Sequence, residues 1–263
     1  LSLSADLGGV GLLERENATI VNAALAEAAA RVVSGFRAAV AGTGYAGPVF
    51  LTQNDGTILD LDRARHFPVL TFASGPTNSM RGAHLLTGLA EAMVADIGGT
   101  TTDIGALAGG YPRQATAAVD LGGLRTAFRM PDLLVVGLGG GSVVLDGPDG
   151  SVRVGPQSVA HDLTTQARVF GGPVLTATDI AVALGLKGLG RRAALGPSPP
   201  GPAERAEGRI MAMLEDGIDR LRTGAAPLPL VLVGGGAVLV RGQPAGGARL
   251  VRPRHAGVAN AIR

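Results

Sequence analysis

The segment Asp96-Ile97-Gly98-Gly99-Thr100-Thr101-Thr102-Asp103 constrains this chain more than any other, because it lies between two apolar runs, residues 92–97 and 102–107. Two strands joined this closely make a hairpin. Glycine at 98 and 99 lets backbone N–H groups approach an anion with no Cβ in the way. Thr100, Thr101 and Thr102 add hydroxyl donors beside them. Asp96, at the end of the first strand, suits Mg²⁺ or its water next to a phosphate, since that ion takes oxygen ligands. A plain turn capped by Asp96 needs one glycine and one aspartate, and leaves the threonines and Asp103 unexplained.

A second glycine cluster follows an apolar run at residues 230–233: Gly234, Gly235 and Gly236. A buried strand that ends in bare backbone and opens a helix suits a nucleoside, although glycine triplets also make simple turns. Two further pieces echo the hairpin, Asp6-Leu7-Gly8-Gly9-Val10 and Asp120-Leu121-Gly122-Gly123-Leu124. Both lack the threonines and read as plain turns.

Around these motifs the pattern alternates helix and strand. An alanine-rich helix runs to about residue 40 with Asn17 as its N-cap, and Gly42 and Gly44 stop it. Residues 48–53 read as a buried strand, followed by an Asn54-Asp55-Gly56 turn. Pro76 sits in the first turn of a helix over 74–87. Strands at 92–97, 102–107 and 114–121 form a meander, and another at 133–138 ends in Gly139-Gly140-Gly141-Ser142. Short strands near 143–145 and 152–154, a helix at 178–184, an amphipathic helix at 204–221, a strand at 228–233 and a helix from 259 complete the reading. This order gives an α/β fold with a mixed sheet flanked by helices. The expected division is a helical α/β segment over 1–90 leading into a nucleotide-binding domain over 91–263, with a proline-rich loop at 196–203.

Composition narrows the partners. An aromatic content of 3% argues against a base-stacking nucleic-acid surface, and a net charge of +2 with scattered arginines is no polyanion patch. Lys187 is the only lysine. The absence of cysteine excludes disulfides and thiolate chemistry and fits a cytoplasmic location. No apolar run is long enough to cross a bilayer, so no membrane partner is expected.

Lesser candidates carry plainer readings beside the functional ones. Gly139-Gly140-Gly141-Ser142 either lines a cleft or is a tight turn. Asp55 reads as a turn cap or a carboxylate facing the cleft, and His161-Asp162 as a surface pair or a metal or acid–base pair. Arg125 and Arg129, with Phe128 and Pro131, either grip an anionic substrate or make a structural ion pair.

The phosphate hairpin followed by an adenosine turn resembles the actin-like (ribonuclease H-like) ATPase superfamily. Within it, the chain resembles the hydantoinase/oxoprolinase family through Arg15-Glu16-Asn17-Ala18-Thr19 with Asn22-Ala23, Ser74-Gly75-Pro76, the 96–103 hairpin, residues 136–142, Val154-Gly155-Pro156 and Thr178-Asp179. The resemblance implies ATP and Mg²⁺ as cofactors and a small cyclic amide, of hydantoin or 5-oxoproline type, as substrate. ATP would phosphorylate the amide carbonyl and so prepare it for hydrolysis. On this reading Asp96 and Asp103 are the catalytic carboxylates and Asp96 holds the metal. Gly98, Gly99, Thr100, Thr101 and Thr102 bind the phosphates, and Gly234, Gly235 and Gly236 the adenosine. A non-enzymatic nucleotide-binding module, a small-molecule kinase and an ATP-dependent ketone carboxylase subunit are the alternatives. Family members begin with another Asp-Gly-Gly-Thr hairpin that has no copy here. The chain is therefore expected to be part of a longer protein, needing an N-terminal lobe and a second hydantoinase-type subunit.

Overall fold

The structure, a computed structural model, describes every residue except 1, 8–10, 116–118, 128–129, 148–149, 197–200, 245–246 and 263. In chain order the helices and strands are α1 (Leu13–Gly42), β1 (Phe50–Thr52), β2 (Ile58–Asp60), α2 (Leu61–His66), α3 (Ser74–Thr87), β3 (Ala92–Ile97), β4 (Thr102–Ala108) and β5 (Tyr111–Pro112). Then come β6 (Val119–Leu121), β7 (Leu124–Thr126), β8 (Leu133–Val136), β9 (Ser142–Asp146), β10 (Val152–Ser158) and α4 (Leu163–Gln166). Last are α5 (Ala177–Ala183), α6 (Pro202–Leu221), β11 (Leu230–Val233) and β12 (Leu250–Val251). They fall into two compact units, Leu1–Asn78 with Pro112–Asp132, and Ser79–Tyr111 with Leu133–Arg263. The boundary expected near residue 90 is therefore drawn differently. Residues 112–132 return to the first unit, and α3 spans the division.

In the first unit, Leu7, Ala18 and Val69 are buried with Val21, Leu25, Phe67, Phe72 and Met130 packed around them. Asn17 is not the N-cap of α1, which begins four residues earlier. Its Nδ2 donates instead to the carbonyl of Arg125, at 2.9 Å, and ties α1 to β7. Asn22 is fully buried, and its Nδ2 donates to Ser2 Oγ and His66 O. The expected buried strand at 48–53 is a half-exposed one, β1, paired with β2, which the sequence reading passed over. Asp55 caps the turn between them by accepting from the N–H and hydroxyl of Thr57.

The second unit is built on a mixed sheet. β12, β11 and β3 run parallel, β4 is antiparallel to β3, and both β8 and β5 lie beyond β4. β3 and β11 are apolar at nearly every position because both their faces are covered. Met93, Ala95, Ile97, Leu230 and Leu232 face the core shared with α5 and α6. The alternate residues Ala92, Val94, Val231 and Val233 face Met80 and Ala83 of α3. α6 presents Ala206, Ile210, Leu214, Ile218 and Leu221 as one stripe. It comes so close to the sheet that a Cβ on Gly217 would lie 2.5 Å from Ile104 Cδ1. The meander strand expected at 114–121 is broken. β5 is two residues long, and β6 pairs with β7 instead. Residues 197–200 of the expected proline-rich loop lie outside the described residues. Among the described residues, no helix is long and apolar enough to cross a membrane.

Candidate functional site

The β3–β4 hairpin forms as expected, with Ile97 paired to Thr102 and a four-residue tip between them. The tip is braced from one side. Gly140 N–H donates to Gly98 O at 3.0 Å, and Gly141 N–H donates to Gly99 O at 2.6 Å. A trans peptide points its N–H opposite its carbonyl, and the only cis bond among the described residues is Gly155-Pro156. The N–H groups of Gly99 and Thr100 therefore face away from the brace. Neither they nor the N–H groups of Thr101 and Gly235 donate to any protein acceptor among the described residues. The hydroxyls of Thr100 and Thr101 are likewise without a partner among the described residues. Unspent donors are thus concentrated at one loop, an arrangement that suits an anion.

The glycine loop at 139–142 is thus the support of this hairpin. A Cβ on Gly139 would fall 2.5 Å from Thr100 N, so only glycine permits the close approach. Ser142 Oγ accepts from Gly139 N–H, and Thr178 donates both its N–H and its hydroxyl to Gly140 O. Thr178 starts α5, whose cap is Thr176 with Asp179 three residues on. The buried Asp179 carboxylate accepts from Thr176 N–H and hydroxyl and from Val169 N–H. The Thr178-Asp179 pair is therefore structural, holding the loop that holds the hairpin.

Thr102 departs from its expected role. It is fully buried, and its hydroxyl donates to Leu138 O at 2.7 Å, so it anchors the base of the hairpin and is not free for a ligand. Gly234 also differs. It has φ +84°, and a Cβ there would lie 2.2 Å from Asp96 Oδ1, so this glycine makes room for the Asp96 carboxylate. β11 sets that geometry by pairing Val233 with Asp96, and Gly236 N–H closes it by donating to Ile97 O at 2.7 Å. The triplet leads into a single 3₁₀ turn at Ala237–Leu239 rather than a long helix.

Asp96 and Asp103 are direct cross-strand partners below the tip, both half-buried. Burial, and then the charge of Asp96, push the Asp103 carboxyl up from 3.8 to about 6. Among the described residues, no group of three or more acidic or histidine side chains converges on a metal position.

A cavity of about 270 Å³ opens beside the tip, near the lower end of the range for small-molecule sites. Gly98, Gly99, Gly140, Gly235 and Gly236 give it bare backbone. Leu163, Ala181, Leu189, Val238 and Leu239 give it apolar surface, and Thr178 and Lys187 complete the lining. Gly99 and Gly235 have no atom of the protein within 4 Å of a built Cβ, and neither has positive φ. No clash with the described residues beyond their chain neighbours requires glycine at these two positions.

Of the other candidates, His161 and Asp162 form an exposed pair at 3.5 Å. Arg125 lies in β7 of the first unit, and Arg129 and Phe128 lie outside the described residues, as do Gly8, Gly9 and Val10. Sequence reasoning missed Leu163, Ala181 and Leu189, which carry no motif. Lys187 had one signal, its being the only lysine among many arginines.

A chain with this braced, glycine-walled cradle on a mixed α/β sheet can now be set beside known proteins. It belongs to the hydantoinase/oxoprolinase family, whose sequence profile matches residues 15–190. No curated protein sequence matches it. Among solved structures it is similar to an acetone carboxylase, nucleotide-free, from a study of ATP-dependent acetone carboxylation. That match has 23% identity and a TM-score of 0.72, covering 98% of this chain and 41% of the other. It is also similar to an ATP-dependent caprolactamase from Pseudomonas jessenii, with 23% identity and a TM-score of 0.74, covering 96% of this chain and 41% of the other. The chain thus spans less than half the length of these relatives and shares their fold.

Proposed function

We propose that this chain supplies an actin-like ATP-binding part of an enzyme that activates the carbonyl of a small amide or ketone. The observation that carries the reading is the cluster of unspent N–H and hydroxyl donors at Gly99, Thr100 and Thr101, next to glycines open to a cavity. Those donors would hold the phosphates. The apolar residues Leu163, Leu189, Val238 and Leu239 would cover the nucleoside and exclude water. The relatives named above act on a lactam and on a ketone, and both substrates offer a carbonyl oxygen for phosphorylation. Transfer of the terminal phosphoryl group to that oxygen makes a poor electrophile reactive, with catalysis arising from positioning and charge neutralisation. For this chain, hydrolysis of a cyclic amide is the favoured outcome, with a further lobe and a second hydantoinase-type subunit completing the site.

The carboxylates fit Mg²⁺. Two half-buried acids in direct register, one of them raised to about 6 by burial and by its neighbour, are stabilised by a divalent cation. Asp96, with Asp103 beside it, would hold the ion, and phosphate oxygens and water would complete its shell. Bound there, Mg²⁺ supplies charge neutralisation at the transferred phosphate. Asp103 would keep the hairpin base and a nearby water in place.

Calorimetric titration with ATP, with and without Mg²⁺, tests this. The wild-type chain is expected to bind Mg·ATP more tightly than ATP in chelator. Asp96→Asn is expected to lose that difference, on the order of tenfold, while keeping its affinity in chelator. A protein that joins this chain to its further lobe and still takes up no ATP in either buffer would remove the proposal.

A further inference from the structure

The cavity beside the hairpin has one charged lining residue, Lys187. Lys187 forms no ion pair among the described residues, and it is the chain's only lysine. Its loop is pinned on both sides. Leu186 N–H donates to Ala181 O at 2.8 Å, and Arg191 N–H donates to Val169 O at 2.8 Å. Gly190 is so close to Val169 that a Cβ would lie 2.4 Å from its carbonyl oxygen. An exposed lysine, with no ion pair among the described residues, thus stands on a pinned loop and lines a cavity whose other polar lining is backbone and one hydroxyl already bonded to Gly140 O. Backbone donors and a point cation together are how proteins hold phosphate chains.

We infer that Lys187 contacts the polyphosphate of the bound ligand and sets the preference of this cavity for nucleoside polyphosphates over nucleosides. The inference rests on the nucleotide reading above and adds a residue and a selectivity to it. Its ligand chemistry is a chain of phosphates, whether carried by a nucleoside or free.

Because Lys187 is the only lysine, acylation by an amine-reactive ester, mapped by mass spectrometry, reports on it alone among the side chains. Mg·ATP should slow its acylation strongly and adenosine should not. Tripolyphosphate separates the sources: protection by it means that the phosphates alone are recognised, and protection only by ATP means that the nucleoside places them. In parallel, Lys187→Gln should weaken ATP binding on the order of tenfold and flatten its salt dependence, with adenosine affinity unchanged and Lys187→Arg restoring most of the loss. Equal losses for ATP and adenosine would overturn the inference, as would unchanged ATP affinity in Lys187→Gln. If the wild-type protein with its further lobe fails to bind ATP, the nucleotide reading fails first, so the two failures are distinguishable.

Discussion

Two hairpins in this chain share the pattern Asp-x-Gly-Gly, and their glycines do different jobs. Between β6 and β7, Gly122 and Gly123 have φ of +61° and +88°. These are values a tight two-residue turn demands and other residues resist. Between β3 and β4, neither Gly98 nor Gly99 has positive φ. Gly99 has no protein neighbour to avoid, and its N–H points away from the loop that braces it. Glycine at the first turn is set by the backbone's own geometry, whereas at the second it leaves open space and N–H donors with no protein acceptor among the described residues. The same four letters become a left-handed turn or an open, braced tip according to the threonines that follow and the loop at 139–142 that supports them.

The largest expected effect separates the two directly. Gly99→Val should lower ATP affinity on the order of 100-fold and leave the melting temperature near that of the wild type. Gly122→Val should leave ATP affinity unchanged and cost roughly 1–2 kcal/mol of stability through forced left-handed backbone. Equal binding losses from both substitutions would erase the distinction between them.

A smaller effect sharpens the contrast from the strands beneath the cradle. Asp103 is raised from 3.8 to about 6, so the folded chain holds its proton more tightly than the unfolded chain does. The stability linked to it is fully present below about pH 4 and is lost as pH rises through about 6. In metal-free buffer, Asp103→Asn should be the more stable protein above pH 6, by on the order of 1 kcal/mol after solvent screening. That advantage should vanish near pH 4 in thermal melts. A pH-independent difference would mean that Asp103 carries no such penalty.

Much of the local structure around the hairpin is legible in the sequence because it is short-range. The β3–β4 hairpin, α3 with Pro76 in its first turn, and α6 with its i, i+4 stripe all follow from short-range pattern. The role of Thr102 could also have been read, since counting by two puts it on the same face as Ile104 and Ala106, which are core residues. The start of α1 was misplaced because Asn17 makes its bond to Arg125, 108 residues away, and no local capping rule sees that. Leu163, Ala181, Lys187 and Leu189 meet Gly99 and Gly235 only through the fold, and nothing in their spacing announces it. The glycines at 139–141 were visible as a cluster, but their role as a brace depends on the Gly98 and Gly99 carbonyls they bind.

In the proposed site the free N–H groups of Gly99, Thr100, Thr101 and Gly235 hold a nucleotide's phosphates. Amide resonances of isotope-labelled protein, followed during titration with Mg·ATP, read it most directly. These four amides should shift with saturation while Gly122 and Gly123 stay still. A saturating titration in which the four stay still, or move no more than Gly122 and Gly123, would contradict it.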